Sequence, residues 1–274
     1  MTNYDEPQVM GIINLSPDSF FSGSRCTTDE QFTKRFEQML KDGADIIDIG
    51  ACSTKPGLKS ISAEEEWELL KPALKRVLRD YPSSDISIDT FRSEIVERSF
   101  DFVGEFTVND ISAGEDDPAM LSMVAKLELP YIAMHKRGTP ETMQDFCNYD
   151  NVAEDIREYF LKFIPKAEAI GIKSLIIDPG FGFAKNIEQN YELLMGLDRL
   201  KIQSKQTGVN YPILVGISRK SMIYRFLDIS PEDALPATTA LHLQALIHGA
   251  GIIRVHDVKE AKQIIKIFIK LKVH

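Results

Sequence analysis

Leu175-Ile176-Ile177-Asp178-Pro179-Gly180-Phe181-Gly182-Phe183-Ala184-Lys185 decides the fold. It opens as an apolar, partly β-branched run of the kind that makes a buried strand. It stops on a carboxylate, Asp178. Pro179 and Gly180 then break the strand, and Gly182 leaves the backbone free to approach a ligand. A buried strand that delivers an acid at its C-terminal end, into a Gly-rich loop, is how parallel α/β folds place active-site groups. The plain alternative is an Asp that caps the next helix.

The same unit recurs on both sides of this stretch. Upstream, the apolar runs Val9–Leu15, Asp45–Gly50, Ile86–Thr90, Phe106–Ile111 and Pro130–His135 read as strands. Downstream, Pro212–Ser218 and Gly251–Asp257 read the same way. Between them lie stretches of helical spacing. Phe32, Phe36, Met39 and Leu40 share one face of residues 28 to 42. Ser62-Ala63-Glu64-Glu65 is a capping-box signature, opening a helix whose apolar stripe is Trp67, Leu70, Leu74, Val77 and Leu78. Further helices are expected at about 93–100, 118–127, 152–170 and 189–200, then a short one, a longer one to about 248, and a last one carrying Ile264, Ile265, Phe268 and Leu271. Eight strands, each followed by a helix, predict a (β/α)8 barrel forming a single domain over residues 1–274. A doubly wound open sheet is the alternative. Two long polar loops interrupt the pattern, at Ser16–Ser24 and Ala51–Ser60, and loops of that length in a compact domain are usually functional or disordered.

Composition narrows the function. The chain has 274 residues, 43% hydrophobic and 27% charged, ample for a sizeable core. A net charge of −9 repels nucleic acid. An anionic substrate therefore needs a local cationic pocket. Cys26, Cys52 and Cys147 are odd in number and scattered, which predicts no disulfide framework, a reducing, cytoplasmic setting and no zinc site. No signal peptide is expected from the polar start, and no apolar run reaches membrane-spanning length. The Lys-rich last helix reads as a barrel helix rather than a membrane-surface one.

The polar residues at the strand ends are Asn14, Asp48, Asp89, Asn109, His135, Asp178, Lys220, Arg254 and His256. All would crowd one mouth of the barrel, where such folds keep their chemistry. Asp89, Asn109, Asp178 and Lys220 mix acceptors with a donor, which suits a flat heterocycle with N–H groups on one edge and acceptors elsewhere. Arg254 and His256, two apart on one strand, face the same side and could donate to an anion such as phosphate, or simply neutralise the rim acids. Asn14 offers an uncharged oxygen to a hydrated Mg2+.

In order along the chain, Met10-Gly11-Ile12-Ile13-Asn14-Leu15-Ser16-Pro17-Asp18-Ser19-Phe20, Asp48-Ile49-Gly50 through Ser53-Thr54-Lys55-Pro56-Gly57, Ser87-Ile88-Asp89-Thr90, Asn109-Asp110-Ile111, the opening stretch, Ser218-Arg219-Lys220-Ser221 and Arg254-Val255-His256-Asp257-Val258 resemble the motifs of the dihydropteroate synthase family. The resemblance implies a TIM barrel and a transferase of folate synthesis. Such an enzyme joins 6-hydroxymethyl-7,8-dihydropterin diphosphate to p-aminobenzoate, giving 7,8-dihydropteroate and diphosphate. It implies pterin contacts from Asp89, Asn109, Asp178 and Lys220, diphosphate contacts from Arg254 and His256, and Mg2+ on Asn14. Catalysis is expected of Asp89, Asp178, Lys220, Arg254 and His256. Thr54, Lys55 and Pro56 of the second loop, with Phe183 and Ser221, would border the p-aminobenzoate pocket, where sulfonamides compete. A cytoplasmic homodimer is implied. Two departures stand out: Ala51-Cys52 where the family usually has Gly-Glu, and Lys55 for Arg, which keeps charge but loses the planar fork. The rivals are a pterin-dependent methyltransferase domain, which would not need the cationic pocket, and a non-catalytic pterin-binding paralogue, expected to have lost a charged site residue.

Overall fold

The computed structural model describes residues 6–16, 26, 28–52, 61–139 and 142–272. Eight parallel strands alternate with helices: β1 (Gln8–Asn14), β2 (Ile46–Gly50), β3 (Ile86–Asp89), β4 (Thr107–Asp110), β5 (Tyr131–Met134), β6 (Leu175–Asp178), β7 (Leu214–Val215) and β8 (Ile252–Val255). The order across the sheet is β6-β5-β4-β3-β2-β1-β8-β7. A parallel bridge between Ile177 and Ile213 joins its two ends, and the Ile177 N–H donates to the Pro212 carbonyl at 3.0 Å. The expected barrel is therefore the one that forms. β7 is shorter than the predicted Pro212–Ser218. Pro212 has no N–H for the ladder, and residues 216 to 218 already turn into the next loop.

The helices are α1 (Asp29–Asp42), α2 (Ala63–Asp80), α3 (Ser93–Val103), α4 (Met120–Leu127), α5 (Val152–Ile170), α6 (Ile187–Met195), α7 (Ser221–Tyr224), α8 (Leu235–Ile247) and α9 (Val258–Lys272). Local chemistry sets their starts. The Ser62 hydroxyl accepts the Glu65 N–H and the Glu65 carboxylate accepts the Ser62 N–H, so the predicted capping box is present. Asn186 and Gln189 build a second box, which starts α6 two residues before the expected Gln189. Leu70, Leu74 and Val77 bury one face of α2, each side chain contributing about 1.5–3 kcal/mol. Leu40, Leu78 and Leu271, expected on apolar stripes, are exposed instead. They lie at the edges of their stripes, where the curved sheet no longer covers them. No disulfide joins Cys26, Cys52 and Cys147. Among the described residues no helix is long and apolar enough to cross a membrane.

Met10, Ile46, Ile132, Ile176, Leu214 and Ile252 meet inside the barrel as a separate apolar plug. Side chains alternate along a strand, so residues two further on line the same interior. From β2, β6 and β8 these are Asp48, Asp178 and Arg254. The plug is thus the floor of a polar mouth.

Outside the barrel, His242 on α8 is buried with neither ring nitrogen hydrogen-bonded. Burial pulls its pKa down to about 4, against a weak upward pull from Asp257. The folded value lies below the ordinary value of about 6.5, so the unfolded chain takes up this proton first as pH falls. This group's contribution is intact above pH 6.5 and is lost between there and about pH 4. His242→Leu removes that loss. The stability gap between wild type and variant should shift by about 3 kcal/mol in the variant's favour from pH 7 to pH 4. Urea midpoints at the two pH values measure it, and parallel curves would contradict it.

Candidate active site

Asp48 has no solvent exposure, and its Oδ2 is the hub of the mouth. Arg254 Nε donates to it at 2.7 Å and Nη2 lies 2.6 Å from it. The same Nη2 reaches Asp89 Oδ2 at 2.7 Å. Asn109 Nδ2 donates to the Asp48 oxygen at 3.1 Å. One guanidinium therefore serves two carboxylates and lies among the acids. Burial alone would lower the Arg254 pKa, but Asp48 and Asp89 outweigh it and raise it. Burial pushes Asp89 up to about 7, with Arg254 pulling the other way and Asp48 adding to the rise.

Across the mouth, Asp178 ends β6. Its Oδ1 accepts the Gly180 N–H at 2.7 Å. Burial raises its pKa while Lys220 opposes the rise. Lys220 Nζ donates to the Phe181 carbonyl at 2.5 Å and lies 5.1 Å from the centre of the Phe183 ring. Burial lowers Lys220 to about 8, with Asp178 holding it up. Burial moves the acid up and the ammonium down while each opposes the other's shift, so a ligand that brings its own charge acts on both.

His256 closes the rim. Its N–H donates to Ser218 Oγ at 3.2 Å, and its carbonyl accepts from the Arg35 guanidinium on α1. Burial and then the cations Arg254, Arg35, Arg219 and Lys220 hold its imidazole well below the ordinary range. His256 is therefore neutral before any anion arrives. Arg219 forks onto Asp257 at 2.8 and 3.0 Å and donates to the Pro231 and Glu232 carbonyls, which pins the loop that carries Lys220. Asn14 ends β1, two residues along the face that carries Ile12, and its carbonyl accepts the Cys26 N–H at 2.9 Å.

The fold thus brings Asn14, Asp89, Asn109, Asp178, Lys220, Arg254 and His256 to one end of the barrel. Phe183 sits on the β6 loop beside Lys220, and Ser221 opens α7. Thr54, Lys55 and Pro56 lie outside the described residues. His135 departs from expectation. Met134 faces the barrel interior, so His135 turns outward, packing edge-on against Tyr159 of α5 at 4.9 Å. Asp48 was legible as a rim residue, and the reading that Arg254 neutralises rim acids holds, though the sequence did not say that Asp48 and Asp89 are the acids it meets. Its position two residues beyond interior Ile46 is the signal that places it.

A sequence profile described as pterin binding enzyme matches residues 10–256. The dihydropteroate synthase of Escherichia coli (strain K12) is 38% identical over 263 residues, covering 95% of this chain and 90% of the relative. The crystal structure of Yersinia pestis dihydropteroate synthase with a sulfonamide drug superposes with a TM-score of 0.91 at 35% identity, over 99% of this chain and 96% of that one. The Burkholderia cenocepacia dihydropteroate synthase complexed with 7,8-dihydropteroate gives 0.87 at 30%, over 99% and 93%. The chain belongs to the dihydropteroate synthase family of pterin-binding enzymes.

Proposed function

We propose that this chain, acting as one domain, condenses 6-hydroxymethyl-7,8-dihydropterin diphosphate with p-aminobenzoate by a dissociative loss of diphosphate. The observation that carries this reading is the gathering of Asp89, Asn109, Asp178, Lys220, Arg254 and His256 in one barrel mouth above an apolar floor. Asp178 and Asn109 supply acceptors to the pterin amino and ring N–H groups, and Lys220 donates to its oxygen or ring nitrogen. Asp89 and Asp178, in a site that excludes water, favour the cation left when the C–O bond opens. Arg254 and the imidazole N–H of His256 stabilise the departing anion. The arylamine then attacks the cation directly and loses a proton, with no covalent enzyme intermediate.

Among the described residues no group of three His, Cys, Asp or Glu could hold a metal. Asn14, at the end of β1, offers one neutral oxygen, which fits an Mg2+ arriving on the diphosphate with most of its water retained. Such an ion would neutralise charge on the leaving group. Exposed Met195, Phe226 and Ile247, at or beside α6, α7 and α8, support a homodimer, and the three free, scattered cysteines support a cytoplasmic setting.

Diphosphate release tests the reading. With Mg2+ and the pterin diphosphate, release should depend on p-aminobenzoate. Lys220→Ala and Asp178→Asn should each weaken pterin binding by about 1–3 kcal/mol, read by calorimetry, because each strands a buried partner. Pterin binding without release would favour the non-catalytic alternative, and unchanged affinity in both variants would remove the site assignment.

A further inference from the structure

One buried cation beside the mouth has no part in the chemistry above. Lys185 ends the loop after β6 and is 3% exposed. Among the described residues it forms no ion pair with a carboxylate. Its Nζ donates to the Gly180 carbonyl at 2.9 Å and the Phe183 carbonyl at 2.9 Å, and lies 3.3 Å from His135 Nδ1. Three donors meet three acceptors, so the ammonium is fully satisfied. Toward the charged form of Lys185, Nδ1 can only accept, and that form goes with the imidazole proton on Nε2.

These contacts hold a particular piece of backbone. Gly180 to Phe183 form a turn, with the Phe183 N–H on the Gly180 carbonyl at 3.1 Å. Two carbonyls of the turn converge on Lys185. The Phe181 carbonyl between them accepts from Lys220, in the mouth. On the remaining side the Gly182 N–H donates to Asn190 Oδ1 at 2.7 Å, and Asn190 Nδ2 returns to the Lys185 carbonyl at 3.1 Å. His135 binds twice: its N–H donates to the Asp178 carbonyl at 2.9 Å, and its ring meets Lys185. A single turn is thus fastened to one lysine behind the site and offers a carbonyl to another lysine inside it.

We propose that Lys185, seated on His135, is a positioning residue for the transfer reaction: it fixes the Gly180–Phe183 turn, and through it the Lys220 ammonium and the Phe183 ring. This rests on the reaction proposed above. Lys185 touches no substrate. Without it the turn loses two carbonyl anchors and their tie to His135, and Lys220 and Phe183 lose their common support, while Asp89 and Asn109 on β3 and β4 are untouched. The signature is therefore a split between ligands. The pterin alone loses the aim of Lys220, whereas a ligand that also reaches Phe183 loses both contacts and suffers more.

Lys185→Met keeps the length of the side chain and removes every donor. Calorimetry with 7,8-dihydropteroate should show a loss of about tenfold or more, and kcat should fall by a similar factor. Affinity for the pterin alone should fall by only about threefold, less than in Lys220→Ala, because Lys220 is misaimed and not removed. His135→Phe removes only the ring acceptor and provides a second, milder variant if Lys185→Met does not fold. It should shift dihydropteroate affinity and kcat in the same direction, and the double variant should lose less than the product of the two single losses, because both act on one contact. Wild-type values in a folded variant, or equal losses for pterin and dihydropteroate, would overturn the proposal. If wild type bound dihydropteroate without releasing diphosphate, the reaction reading alone would fail. Binding by wild type with unshifted variants would remove this inference alone.

Discussion

Gly180→Ala should cost about 2–5 kcal/mol of stability and remove measurable turnover. Gly180 has φ +72°, a conformation that costs an L-residue about 1–2 kcal/mol. The larger problem is space. A Cβ at this position would lie 2.0 Å from the His135 backbone carbonyl oxygen, where no side-chain adjustment can help. Either β5 and the β6 loop move apart or the turn rearranges, and overpacking of this kind typically costs about 1–3 kcal/mol more. Either movement breaks the Gly180 N–H bond to Asp178 and shifts the carbonyl that holds Lys185. Gly208→Ala is the control. Gly208 has φ +71°, but a Cβ there meets nothing within 4 Å. Urea denaturation of both variants separates the clash from the backbone term. Equal losses at the two positions would mean that the close approach is not the constraint.

Arg254→Met should be the most damaging side-chain change, at about 3–5 kcal/mol at alkaline pH. The loss is large because the guanidinium is the shared partner of Asp48 and Asp89, and removing it strands carboxylates in the barrel interior. Its pH dependence has a definite sign. Asp89 is held up to about 7 with Arg254 present, above its ordinary value of about 3.9. A carboxyl raised on folding contributes most below the unfolded value, and that contribution fades as pH rises through the folded value. Without Arg254 the folded value climbs further, so the variant keeps losing stability above pH 7 where the wild type levels off. The gap between the two should be smaller at pH 6 than at pH 8.5. Urea midpoints at both values measure it, and a constant gap would show that Asp89 is not the group left unpaired. If Arg254 also stabilises departing diphosphate, turnover should fall by about 100-fold or more even where the variant is folded.

Much of this molecule was legible from local rules. The Ser62 and Glu65 spacing marked the start of α2, and the residues that make a capping box are all within one turn of chain. The run Leu175–Asp178 marked β6 and its acid, because apolar runs and the Pro-Gly break act over a few residues. The period of eight βα units predicted the barrel, and strand parity predicted that Arg254 and His256 would share one side of their strand. The limits were equally physical. Strand parity does not say which cation meets which acid, since that depends on the stagger of strands far apart in sequence. Only the closed barrel puts Arg254 of β8 against Asp48 of β2 and Asp89 of β3, making it a counter-ion as well as a candidate anion ligand. Only the tertiary structure turned His135 away from the mouth and set Lys185 against its ring, because the outward direction acquires meaning once α5 is packed there. The residue types at the strand ends were determined by the sequence alone; their pairings were decided by barrel closure, which fixes distances that no local pattern encodes.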